Sequence, residues 1–128
     1  MKNIIISAVA TVLLLIIGCK KNSTKEFDNT LPGAWKEYQY FMSPGAGGEW
    51  EPGNGLIVTL NKDLSYTTNN EQSFWGKSGK INNLTDSTFT INPPFFNGPA
   101  TLRYTVKDGV FEVWYICIEG CGSRFRKN

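Results

Sequence analysis

General acid–base work near neutral pH falls first to histidine, and this chain has none. The commonest metal ligand is removed by the same absence. Carboxylates remain. Glu49 and Glu51 flank Trp50, an acid pair beside a flat ring of the sort a sugar site uses. Two positions apart on a glycine-rich loop, they read instead as solvated charges. Cys19, Cys117 and Cys121 complete the reactive side chains, and two thiols without a histidine are too few ligands for a resident metal. No catalytic residue and no cofactor are expected from this set. A formal net charge of +2, with the Lys and Arg scattered rather than striped, offers no face for nucleic acid.

The setting of Cys19 decides its chemistry. Lys2 gives a short basic start, and Ile4 to Ile17 form an apolar run broken only by Ser7 and Thr11. A run of this length suits the core of a signal peptide and falls short of the roughly 20 residues that span a bilayer. Ile16-Ile17-Gly18-Cys19 resembles the bacterial lipobox, which implies cleavage before Cys19 and acylation of its thiol; an uncleaved anchor is the alternative. Two or three acyl chains would hold the protein stably where one gives marginal binding. Residues 1–18 then form a lipoprotein signal peptide, and 19–30, polar and mixed in charge, a tether. No Asp follows Cys19, so by analogy with enteric bacteria the expected address is the outer membrane of the cell envelope, on its periplasmic or its outer side.

Beyond the inner membrane disulfides persist, and Cys117 and Cys121 are left as a pair four apart. Gly120 supplies the bend that brings their Cα atoms close. A structural disulfide, two free thiols and a soft-metal or redox site are the three readings, the disulfide being the expected one.

The residues after 30 read as strands throughout. Leu102, Tyr104 and Val106 alternate with Thr101, Arg103, Thr105 and Lys107, and Asp108-Gly109 then marks a hairpin that returns through Val110 to Cys117. Leu56 to Leu60, Leu64 to Thr68, Lys77 to Leu84, Thr88 to Ile91 and Ser123 to Lys127 are further short strands, with turns at Asn61-Lys62-Asp63 and Thr85-Asp86-Ser87. Ser43 to Gly55 and Asn92 to Pro99 are glycine- and proline-rich loops. Trp35 to Met42 alternates imperfectly, which a bulge midway would explain. Seven or eight strands in sequence order, all joined by loops, predict an all-β, up-and-down antiparallel barrel over 31–128, with a two-sheet sandwich as the alternative.

Leu31-Pro32-Gly33-Ala34-Trp35 opens that sheet. Pro32 and Gly33 permit a sharp turn, and Trp35 at the mouth of the first strand can plug one end of a closed barrel. Gly33-x-Trp35 is similar to the Gly-x-Trp motif of the lipocalins. With Lys62-Asp63-Leu64, Asp108-Gly109 and Cys117-Ile118-Glu119-Gly120-Cys121, the pattern resembles the short lipocalin-like lipoproteins of the Bacteroidetes type. The resemblance implies that an Arg after the last strand, Arg124 or else Arg126, packs over Trp35. Asp86-Ser87-Thr88 is similar to an O-glycosylation tripeptide of that group, with an ordinary turn as the plainer reading.

Function is sought in the aromatic residues at strand ends. Trp50, Phe74, Trp75, Phe95 and Phe96 are expected to rim a barrel mouth walled by Tyr66, Tyr104 and Trp114, where a small apolar or amphipathic ligand would bind. The alternative is that these rings seal a filled core, leaving a structural or interaction lipoprotein whose loops touch another envelope protein or a glycan.

Overall fold

The computed structural model describes residues 28–45 and 47–128. The expected signal peptide over 1–18, Cys19 and the expected tether as far as residue 27 lie outside the described residues. Every element among the described residues is a strand: β1 (Gly33–Met42), β2 (Trp50–Pro52), β3 (Ile57–Leu60), β4 (Ser65–Thr68), β5 (Ser78–Lys80), β6 (Thr88–Ile91), β7 (Ala100–Lys107), β8 (Val110–Tyr115) and β9 (Cys121–Lys127).

Gly33 turns the chain into β1 at a φ of +133°, and a Cβ there would come within 2.7 Å of the Lys127 ammonium. β1 is the longest strand and has a different partner along each half of one edge. Gly33 to Lys36 pair with β3, and Gln39 to Phe41 with β2. Along the other edge β1 pairs with β9 from Trp35↔Lys127 to Met42↔Cys121. The sheet continues from β3 through β4 to β5, and from β9 back through β8 and β7 to β6, antiparallel throughout. Its two ends meet through one bridge beyond β5, where Asn82 and Thr90 exchange both backbone hydrogen bonds at 2.8 Å. The outcome is a nearly closed eight-stranded barrel with β2 added beside β1; a single rolled sheet displaces the sandwich.

Three local expectations change. Trp50–Pro52, expected inside a long loop, is strand β2 because β1 outlasts β3 and leaves a free edge for it. The strand expected from Lys77 to Leu84 shortens to Ser78–Lys80, with Asn83 turning at a φ of +48°. Leu64, expected in β4, belongs to the preceding turn at a φ of +68°, its N–H bonded to the Asn61 carbonyl. Asp108-Gly109 forms the expected tight hairpin, both residues at positive φ.

The irregular alternation of β1 has its cause in a register shift against β9 between Glu37 and Gln39. Before it, Trp35 and Glu37 point inward and are buried. After it, Phe41 lies on the outer surface against Trp50 and Trp114. Gly53 N–H bonds the Tyr38 carbonyl at 2.8 Å, and a Cβ at Gly53 would approach that carbonyl carbon to the same distance. Only glycine allows the β2–β3 connection to lie so close to the bulge.

Rings fill the barrel below the bulge. Phe111 stands at the centre, 5.4 Å from Trp35, 5.6 Å from Phe125, 6.0 Å from Tyr104 and 6.4 Å from Phe89 and Trp75. Val58, Leu60, Ile81, Ile91, Leu102 and Val113 complete this core. Its polar tips are satisfied, Tyr66 donating to the Trp75 carbonyl at 3.0 Å and Tyr104 to that of Thr85 at 2.6 Å.

Candidate functional site

The strands deliver four connections to one end of the barrel: 43–56, which contains β2, and 69–77, 92–99 and 116–120. At this end the sheet opens into a cleft of about 530 Å³. The bulge in β1 sets Glu37 on its wall, β9 adds Ser123, β8 adds Tyr115, and the β4–β5 loop adds Ser73 and Phe74. Leu56, Tyr40 and Met42 contribute apolar surface.

Glu37 is 7% exposed and holds two hydrogen bonds. Its Oε1 accepts from Ser123 Oγ at 2.5 Å, and its Oε2 from the Asn54 N–H at 3.1 Å. Tyr115 OH accepts from Trp75 Nε1 at 3.0 Å, so the cleft is wired to the ring beneath it. Burial pushes the Tyr115 phenol well above its ordinary pKa; hydrogen bonding with Ser123 and Trp75 opposes the shift, and the nearby Glu37 charge adds to it. Ser73 Oγ is sequestered from solvent on the same wall and has no hydrogen-bond partner.

The aromatics expected to form one rim are divided among three places. Tyr66, Trp75 and Tyr104 are buried core residues, with Trp75 stacked on Phe89 at 5.6 Å. Trp50 and Trp114 face outward, 5.5 Å apart, with Phe41 turned to that side by the bulge; Trp114 alternates with the buried Phe111 and Val113 of β8 and is therefore no wall of the mouth. Phe74 lines the cleft, packing on Tyr115 at 4.8 Å and on Phe96 at 6.2 Å, while Phe95 is exposed.

The cation over Trp35 also differs from expectation. Trp35 is fully buried at the end opposite the cleft, its Nε1–H bonded to the Leu31 carbonyl at 2.7 Å. Lys127, not an Arg, lies over its ring, with Nζ 4.5 Å from the centroid, hydrogen-bonded to the Pro32 carbonyl and 3.4 Å from Asp28 Oδ2. Arg124 covers Trp50 at 3.8 Å and pairs with Glu112 at 2.8 Å; Arg126 covers Tyr38 at 4.2 Å. Both arginines are in register with outward positions of β1, whereas Lys127 is the direct cross-strand partner of Trp35 and shares its inward face.

Cys117 and Cys121 form a disulfide with a Cα–Cα distance of 6.1 Å, tying off the β8–β9 loop beside the cleft. Among the described residues no cluster of three or more Cys, Asp, Glu or His could hold a metal. No helix of the described residues is long and apolar enough to cross a membrane.

Fold and site together define a small antiparallel barrel with a plugged end and an open, polar-floored one. No family model, curated protein or solved structure matches the chain.

Proposed function

We propose that this is a lipocalin-like binding lipoprotein, held at the cell envelope, most naturally at the outer membrane, by acyl chains on Cys19, and carrying a small amphipathic ligand in its mouth cleft. The observation that carries this reading is the cleft itself. Its volume of about 530 Å³ lies within the range of small-molecule sites, and it combines apolar walls with a few convergent polar groups. The tether enters β1 at the opposite end, beside Trp35, so anchoring leaves the mouth unobstructed.

The test is native mass spectrometry of the protein extracted from its own membranes. A small molecule that co-purifies, and that is lost when Phe74→Asp alters the cleft wall, supports the reading. A protein that is empty in every preparation overturns it. Cys19→Ala should leave an unprocessed, unacylated precursor; mature acylated protein in that variant would refute the anchor.

A second reading rests on a separate observation. Phe95 and Phe96, Ile116, Ile118 and Met42 are exposed around the same end, and the barrel interior below is full. An envelope-protein partner seated on that apolar rim would make the molecule an interaction lipoprotein instead.

A further inference from the structure

The proposed binding function leaves open what head group the cleft accepts. We infer that the mouth cleft selects an amphipathic cation, a compact apolar body carrying a protonated amine, with the ammonium at Glu37. The inference rests on the binding reading above and narrows it to a ligand class.

Glu37 is a buried carboxylate with no cation beside it. The ion pairs among the described residues join Arg124 to Glu112 and Lys127 to Asp28, both away from the cleft. A carboxylate offers about four lone-pair sites, and Ser123 and Asn54 occupy two. Buried charge is costly unless it is paired and fully hydrogen-bonded, so this wall has acceptor capacity and negative charge to offer an N–H-rich head. Ser73 Oγ, on the same wall and without a partner, gives a further acceptor after a small rotation.

The surroundings agree in sign. The four connections at this end, β2 included, carry Glu49, Glu51, Glu71 and Glu119 against Lys77. An acidic approach to a low-dielectric cleft attracts cations and repels carboxylate amphiphiles such as fatty acids. The rest of the ligand has apolar company. Phe74, Leu56 and Met42 line the cleft, and Met42 is shared with an adjoining groove of about 490 Å³ beside Ile118, along which a tail can leave.

The experiment compares hexylammonium, hexanol and hexanoate, three water-soluble probes with one apolar body and three heads. They are titrated calorimetrically into the full-length protein in nanodiscs, with empty nanodiscs as the blank. Hydrogen bonds to a charged partner predict that hexylammonium binds roughly 10- to 100-fold more tightly than either other probe. Glu37→Gln should abolish the preference, and Ser73→Ala should weaken hexylammonium alone by a few-fold. The comparison on the unaltered protein stands even if Glu37→Gln fails to fold. Equal affinities, or tighter binding of hexanoate, would overturn cation selection while leaving the binding function in place. Failure of all three probes, with no co-purified molecule, would overturn the binding function and this inference with it.

Discussion

Truncating Trp35 tests whether one residue closes the barrel. The indole is fully buried, rests against Phe111 at 5.4 Å and donates to the Leu31 carbonyl at 2.7 Å. A ring of this kind buries about 150 to 250 Å² of surface, which at about 25 cal/mol/Å² comes to about 4 to 6 kcal/mol as an upper figure. Measured truncations of buried aromatics to Ala cost about 3 to 5 kcal/mol, so about 4 kcal/mol is the working value for Trp35→Ala. Domains of about this size lose roughly 4 to 8 °C per kcal/mol, which puts the drop in melting temperature at about 15 to 30 °C. The assay is a thermal melt by circular dichroism, backed by urea unfolding at constant slope. Trp35→Phe removes the N–H donor while keeping most of the ring, and should cost about 1 to 2 kcal/mol. Lys127→Met keeps the aliphatic stem but loses the ammonium over the indole and its bond to Pro32. A double-mutant cycle of Trp35→Phe with Lys127→Met should leave a coupling of about 0.5 kcal/mol or more. If Trp35→Ala melts within error of the parent, Trp35 is no plug and the reasoning from its burial fails. Strictly additive costs would reduce the lysine to a bystander.

Gly79→Ala should destabilise by about 1 to 3 kcal/mol, because a Cβ there would lie 2.5 Å from the Tyr66 hydroxyl, which is buried and bonded to Trp75; an unchanged urea midpoint would refute the close packing of β5 on that ring. Tyr66, Tyr104 and Tyr115 all have pKa values raised by burial above the ordinary 10.0. Above about pH 10 the unfolded chain sheds these protons before the native one does, so stability is full below that pH and falls as pH rises beyond it. Phenolate absorbance should therefore lag behind a free-tyrosine curve until unfolding, and Tyr115→Phe should flatten the loss; a titration that follows free tyrosine would contradict the burial. Opening the Cys117–Cys121 bridge should cost about 2 kcal/mol by the chain-entropy model for so short a loop, read as a lower urea midpoint with reductant, and intact mass should show two hydrogens fewer before reduction; free alkylation of both thiols in the native protein would deny the bridge.

What could be read from the residues was the part governed by local rules. Asp108-Gly109 fixes its own hairpin, and the clean alternation from Thr101 to Lys107 places Leu102 and Tyr104 inside and Arg103 outside, where the structure has them. Sheet closure followed from strand count and order. The site was less legible because one bulge governs it. With Tyr38 as the extra residue, Phe41 turns to the outer surface beside Trp50 and Trp114, and no propensity announces that switch of side. One signal was present: Glu37 shares a face with Trp35, and a carboxylate on the core side of a strand is an anomaly that marks a polar site. Ser73 and Tyr115 gave none, since a loop and a strand 40 residues apart bring Trp75 Nε1 to the Tyr115 hydroxyl only in three dimensions. No motif marks Lys127, but alternation along β9 puts it on the face of Phe125, opposite Arg124 and Arg126, and register then sets it across from Trp35.

The lone bridge between Asn82 and Thr90 makes this barrel a rolled sheet fastened by a single latch. Should the latch release, β5 and β6 become bare edges; should the β1–β9 ladder part with it, the half of the chain from β6 to β9 could trade places with its counterpart in another molecule. Two barrels would be rebuilt with every ladder intact and only the 81–87 connection altered, the usual geometry of exchanged dimers. The edge is poorly suited to indiscriminate pairing. β5 is three residues long and wholly exposed, and Lys77 and Lys80 bracket it with like charges that would confront each other if two such edges met. The weakest join in the cylinder is thus also the one least inviting to a stranger.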